Sequence, residues 1–141
     1  MGLSKLNTDS KLENEGVWVL VHSDTDENGK DYDVRIRVRR AGGTNKKYER
    51  AKAAAFRPHQ RQMRAGMLAD EQVERLMQGV YSLHVVCAWE NVDINDEMVE
   101  CTPENVLAVF KAYPFIWEAV FETSQSMDVY REELEEAAGN S

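Results

Sequence analysis

A chain of 141 residues, 43% apolar and 30% charged, has room for one domain with a core, which excludes a disordered polyelectrolyte and two full domains. A net charge of −8 excludes indiscriminate adhesion to nucleic acid, and two cysteines, Cys87 and Cys101, exclude a disulfide framework or a cysteine-based zinc site. No apolar run approaches the ~20 residues of a membrane span, and residues 1–14 lack the apolar centre of a leader peptide, so cytoplasm is the expected compartment, with no membrane partner.

Residues 1–15 are polar and aperiodic and read as a flexible arm. They leave 16–138 as a single α+β domain and 139–141 as a short C-terminal tail. Residues 17–22, V-W-V-L-V-H, are β-branched or aromatic and apolar on both faces, which predicts a buried strand. Residues 32–40 alternate instead. Val34, Ile36 and Val38 fall on one face and Arg35, Arg37 and Arg39 on the other, the pattern of a half-buried strand. Asn28-Gly29 between the two runs is a hairpin dipeptide. The loop also places Asp24, Asp26, Asn28 and Gly29 at positions 1, 3, 5 and 6 of a calcium loop. Position 12 is Arg35 where a bidentate Glu is required, and the flanks are strands, so a polar turn is the better reading.

Ala41-Gly42-Gly43 breaks the strand, and Thr44 or Asn45 is placed to cap a helix. Residues 44–64 are where an acidic protein turns basic. From 34 to 64 there are eleven Lys or Arg against one acid, Glu49; the rest of the chain carries 6 basic and 24 acidic residues. At 100° per residue, Lys46, Arg50, Arg57, Arg61 and Arg64 share one sector, roughly opposite Tyr48, Ala51, Ala55, His59 and Met63. Pro58 should kink or split this helix and Gly66 should end it. The cationic stripe admits three readings: a solvated or internally paired face, a docking surface for an acidic protein, or a nucleic-acid site. The last is the weakest, because no nucleic-acid-binding motif or stacking aromatics accompany the charges.

A second helix is expected from an Asp70 cap, with Val73, Leu76, Met77, Val80, Tyr81, His84, Cys87 and Ala88 on one stripe at the centre of the core. Residues 91–100 are acidic and irregular, a loop or a short extra strand near Met98-Val99. Thr102-Pro103 starts a third helix. Tyr113-Pro114 stops it and opens a last one through Ile116, Trp117, Val120, Phe121, Met127, Tyr130 and Leu134, with Gly139 as its C-terminal residue. The fold class is therefore α+β and mostly α: an N-terminal antiparallel β-hairpin packed on a bundle of four to five helices.

Catalytic chemistry is hard to place. None of His22, His59 and His84 forms a recognisable nucleophile motif, and His84 and Cys87 share a stripe that reads as core. Phosphate loops, dinucleotide fingerprints and metalloprotease motifs are absent from the sequence. The expectation is a non-enzymatic interaction domain without cofactor or metal.

The order of several short motifs is more informative. Gly16-Val-Trp-Val precedes the arginine-alternating strand, then come Asn45-Lys-Lys-Tyr48, the Arg57-Pro-His-Gln-Arg-Gln-Met-Arg run, and the Val85–Val92 segment V-V-C-A-W-E-N-V. Pro103-Glu-Asn-Val106 and the terminal E-E-A-A-G-N-S follow. This order resembles the tail assembly chaperones of long-tailed bacteriophages, over residues 16–141. The resemblance implies a protein of virion morphogenesis that binds the tape measure protein, keeps it soluble, and helps tail-tube subunits polymerise around it. Such a holdase needs apolar grooves between helices and charge for solubility. Lys46, Arg50, Arg57, Arg61, Arg64, Trp117 and Phe121 are the candidate partner-binding residues, and self-association is a further expectation. The alternative is a phage structural protein, a tail-tube or head–tail joining subunit; a nucleic-acid-binding accessory protein comes third.

Overall fold

A three-stranded antiparallel sheet with helices on one face makes up most of residues 2–131, the part of the chain that this computed structural model describes. Strands β1 (Val17–Thr25) and β2 (Asp31–Val38) form the expected hairpin, paired from Val17↔Val38 to Thr25↔Asp31. The Asp26 carboxylate organises the turn by accepting the Asn28 and Lys30 N–H groups, both at 2.9 Å, and Gly29 takes the positive φ (+78°) that the reversal requires. The same side chain that suggested a calcium position thus has a structural role.

Val34, Ile36 and Val38 are buried, as their alternation predicts. Strand β1 departs from expectation. Helices cover one face of the sheet and β1 lies at its edge in the order β1-β2-β3, so Val19 and Val21 are half-buried while Trp18 and Leu20 remain 45% and 57% exposed. A run apolar on both faces need not be buried on both.

The first fifteen residues depart from the arm expected of them. A 3-10 turn at Leu3–Leu6 is followed by helix α1 (Ser10–Glu15), capped by the Asp9 carboxylate on the Lys11 N–H. Glu13 is fully buried, ion-paired with Arg40 and accepting the Thr44 hydroxyl at 2.8 Å. Asp9 N–H donates to the Tyr130 carbonyl, and Thr8 pairs with Arg131. One buried carboxylate in a polar stretch leaves no periodicity to detect, which is why composition pointed to an arm.

Helix α2 (Lys46–Phe56) starts from Asn45, whose side-chain oxygen accepts the Tyr48 N–H. Pro58 then splits the helix as predicted, into a 3-10 turn (Arg57–His59) and α3 (Gln60–Arg64), closed by Gly66 at φ +68°. Helix α4 (Asp70–His84) begins one residue before the expected place for a cap to end. Ala69 is the cap and donates to the Gln72 side chain, and Asp70 lies in the first turn, where its charge favours the helix dipole.

The helical stripe does not run on to Cys87 and Ala88; α4 stops at His84, and Val86–Glu90 forms strand β3. It pairs with β2 through Val38↔Val86, Arg37↔Ala88, Ile36↔Trp89 and Arg35↔Glu90. Val86 and Trp89 suit a pleated surface, and β2 offers an unpaired edge beside them. The acidic stretch after it is a small hairpin, β4 (Asp93–Ile94) and β5 (Glu97–Met98), tied to β3 by the Trp89 indole N–H donating to the Val99 carbonyl at 2.8 Å.

Helix α5 (Pro103–Ala112) has the predicted Thr102 cap, and α6 (Pro114–Gln125) begins at the predicted proline. The last helix ends earlier than expected. Residues Met127–Tyr130 turn as a 3-10 segment that buries Tyr130, whose hydroxyl donates to the Val38 carbonyl. Leu134 and Gly139, expected in and just after the last helix, lie outside the described residues, as does the tail at 139–141. The core joins the inner face of the sheet to Tyr48, Met77, Val80, Tyr81, Val106, Val109, Phe110, Ile116, Trp117 and Val120.

Candidate functional site

An apolar groove of about 810 Å³ opens where α2, α3, α4 and α6 meet. Its apolar lining is Phe56 of α2, Met63 of α3, Val73 and Met77 of α4, and Trp117 and Phe121 of α6. Glu49, Lys52, Asp70 and Glu74 supply charges around it. Each wall has a local origin. Pro58 shortens the basic helix and redirects it, so that Met63, two helical turns beyond Phe56, meets the same groove. The three-four spacing of α4 brings Val73 and Met77 to one face, and the same spacing on α6 aligns Trp117 with Phe121.

Trp117 and Phe121 differ in depth. Trp117 is 8% exposed and sits among Tyr81, Phe110 and Phe121 at ring-centroid distances of 4.9, 5.1 and 5.4 Å. It belongs to the core and presents one edge to the groove. Phe121 stacks on Tyr81 at 5.9 Å yet stays 40% exposed. Beneath them the Tyr81 hydroxyl bonds to Ser124 Oγ at 2.7 Å and accepts from the Gln125 amide at 3.1 Å, which fixes α4 against α6. The floor is therefore rigid and the exposed ring of Phe121 stands at its margin.

The cationic stripe is divided rather than continuous. Lys46 and Arg50 belong to α2 and face a separate, polar recess; Arg57, Arg61 and Arg64 lie beyond Phe56 on the 3-10 turn and α3. All five are exposed, and none is ion-paired among the described residues. Internal pairing of the stripe with the acidic remainder, one of the three readings of its charge, is thus not seen among them. Groove residues Phe56, Met63, Val73 and Met77 escaped the sequence reading. Phe56 and Met63 are seven apart, a spacing that was legible, but nothing in the sequence places α3 against α4.

His84 and Cys87, expected on one helix, fall on α4 and β3. Burial pushes both cysteine thiols up, Cys101 to about 11, so neither is a ready thiolate. Burial, then the charges of Arg39 and Lys47, holds His84 below its ordinary value. Among the described residues, no group of His, Cys, Asp and Glu is arranged to hold a metal ion, and no helix is long and apolar enough to cross a membrane.

Comparison with known proteins yields one family. Neither a curated protein nor a solved structure matches the chain. Residues 43–140 match the model of the YdaY prophage proteins, a segment that begins just before the α2 cap, includes every wall of the groove and leaves the β1–β2 hairpin outside. Because that match spans well over half of the chain, the protein belongs to the YdaY prophage protein family and is phage-derived.

Proposed function

We propose that this protein is a non-enzymatic phage tail assembly chaperone that binds the tape measure protein, and tail-tube subunits with it, in the host cytoplasm. The observation that carries the reading is the groove. Apolar side chains from four helices line it, the kind of surface that receives the apolar side of an amphipathic helix, the element that recurs along a coiled-coil-prone partner. Its margin carries both signs of charge, Glu49 and Lys52 on α2 and Asp70 and Glu74 on α4, and suits partners whose flanking charges alternate in sign. Membership of a prophage family supports a role in the phage life cycle, and the order of motifs resembling tail assembly chaperones supports the narrower role.

Co-expression with the tape measure protein encoded in the same prophage tests it. The partner is expected in the soluble fraction with the wild-type protein and in the pellet with Phe121→Glu, a change at a ring 40% exposed on the groove margin, with thermal unfolding of the variant alone checking that it still folds. A partner that stays insoluble beside well-expressed wild-type protein overturns the chaperone reading. Recovery of the protein from purified virions would favour the structural-subunit alternative.

A further inference from the structure

A second recess, chemically opposite to the groove, lies over the first turns of α2. It measures about 350 Å³ and gathers Arg39, Lys46, Lys47, Arg50 and His84, with Asn14 at its side. On α2 the residues facing it (Lys46, Lys47, Arg50) occupy a different sector from those facing the groove (Glu49, Lys52, Ala53, Phe56). Among the described residues no carboxylate lines it, and none of its four permanent cations has an ion-pair partner. Arg35 and Arg40, by contrast, are both paired. Four like charges thus converge without a carboxylate among the described residues, in a chain with 25 acids to 17 bases.

The cations are also oriented. Arg39 donates Nε–H to the Asn14 carbonyl at 2.8 Å, which fixes its guanidinium while its two terminal nitrogens take no partner among the described residues. The Asn14 amide is itself held by Ser10 O and Thr44 Oγ1 at 2.8 and 2.9 Å, so α1 braces the arginine. Lys46 Nζ folds back to the Gly43 carbonyl at 3.3 Å. The imidazole of His84 makes no hydrogen bond among the described residues, and its backbone carbonyl accepts from Asn45, which seats the end of α4 against the start of α2.

We propose that this recess binds a small phosphorylated anion. The Arg39 guanidinium with its free outer edge matches phosphate oxygens in a planar fork, and the ammonium groups of Lys46 and Lys47 together with the Arg50 guanidinium supply the charge that a dianion needs and a single carboxylate does not. The volume suits a phosphoryl group with a small organic moiety. A nucleic-acid strand fits less well, because no aromatic side chain lines the recess to stack a base. The site shares no lining residue with the groove and rests on no part of the chaperone reading.

Thermal unfolding and titration calorimetry of the full chain in sodium phosphate, in adenosine monophosphate, and in sodium chloride of matched ionic strength test the proposal. Phosphate or the monophosphate is expected to raise Tm above the chloride control, and the stronger of the two identifies the source of the phosphoryl group. Lys47→Gln with Arg50→Gln, both exposed positions, should weaken binding roughly tenfold or more. A separate readout is the His84 imidazole followed by NMR. Burial and then the charges of Arg39 and Lys47 hold its protonation down, so a bound anion that offsets those two charges should raise its midpoint. Equal stabilisation by chloride, or a phosphate response unchanged in the double variant, overturns the site. A response confined to an oligodeoxynucleotide also overturns it, in favour of a polyanion surface.

Discussion

Glu13 is the carboxylate on which the N-terminal segment depends. Burial alone would raise its proton affinity, but the hydrogen bonds from Arg40 and Thr44 outweigh that, and the net effect holds the carboxyl below its ordinary value of 4.5. A group whose folded value is depressed stabilises the fold at pH above the unfolded value and loses that contribution as pH falls through the folded one. Glu13→Gln, which leaves Arg40 without its buried partner, is therefore expected to cost roughly 3 kcal/mol at pH 7. The gap from wild type should narrow as the pH drops below 4.5. Urea unfolding at pH 7 and pH 3.5 measures this; a gap that is constant with pH would show that Glu13 contributes through shape alone. Gly43 is bound to the same pair. It has φ +56°, and a Cβ built there would run into the Glu13 carboxylate and the Arg40 guanidinium, so this glycine is dictated both by backbone and by space.

Strand β3 joins the sheet to the small β4–β5 hairpin through the Trp89 indole. Trp89→Phe keeps most of the ring but leaves the Val99 carbonyl without that donor, a loss of about 1–2 kcal/mol. Hydrogen exchange should show the Val99 amide, bonded to the Val92 carbonyl, speeding up more than the amides of β2. Uniform acceleration would mean that the two hairpins open as one unit. The same element marks where the sequence was and was not legible. Local punctuation was readable: Asn45 and Thr102 as caps, Pro58 and Pro114 as breaks, the Val34–Ile36–Val38 alternation as an inner face. What escaped depended on a neighbour distant in sequence. Cys87 and Ala88 extend a helical stripe in isolation and become part of a strand because β2 has a free edge. Trp18 and Leu20 look like core residues until the sheet order places them on an edge with nothing over them. At the groove, Trp117 and Phe121 were visible as aromatics, whereas floor and margin were distinguished only by packing against Tyr81 and Phe110. The single cationic stripe was an artefact of a straight helical wheel, since the turn at Pro58 separates Lys46 and Arg50 from Arg57, Arg61 and Arg64.

For the molecule as a whole, two recesses of opposite character flank one helix. The apolar groove would bind through excluded water, little affected by salt, and the cationic recess through charge, weakening as salt rises. Binding studies across ionic strength therefore separate the two. The pairing of Thr8 with Arg131 and of Asp9 with Tyr130 has a further consequence. It makes the described chain nearly a closed ring, whose seam is a two-residue ladder rather than a core element. Such a ring tolerates being opened elsewhere. A circular permutant that links the original ends and begins at Gly29, where an added Cβ would meet open space, should fold with a Tm within several degrees of the parent. One opened between Arg37 and Val38, in the central strand, should not fold; equal stability of the two would show that the sheet does not need an unbroken central strand. One segment spliced directly before Thr8 and another spliced directly after Arg131 would leave the domain side by side, at neighbouring points of its surface.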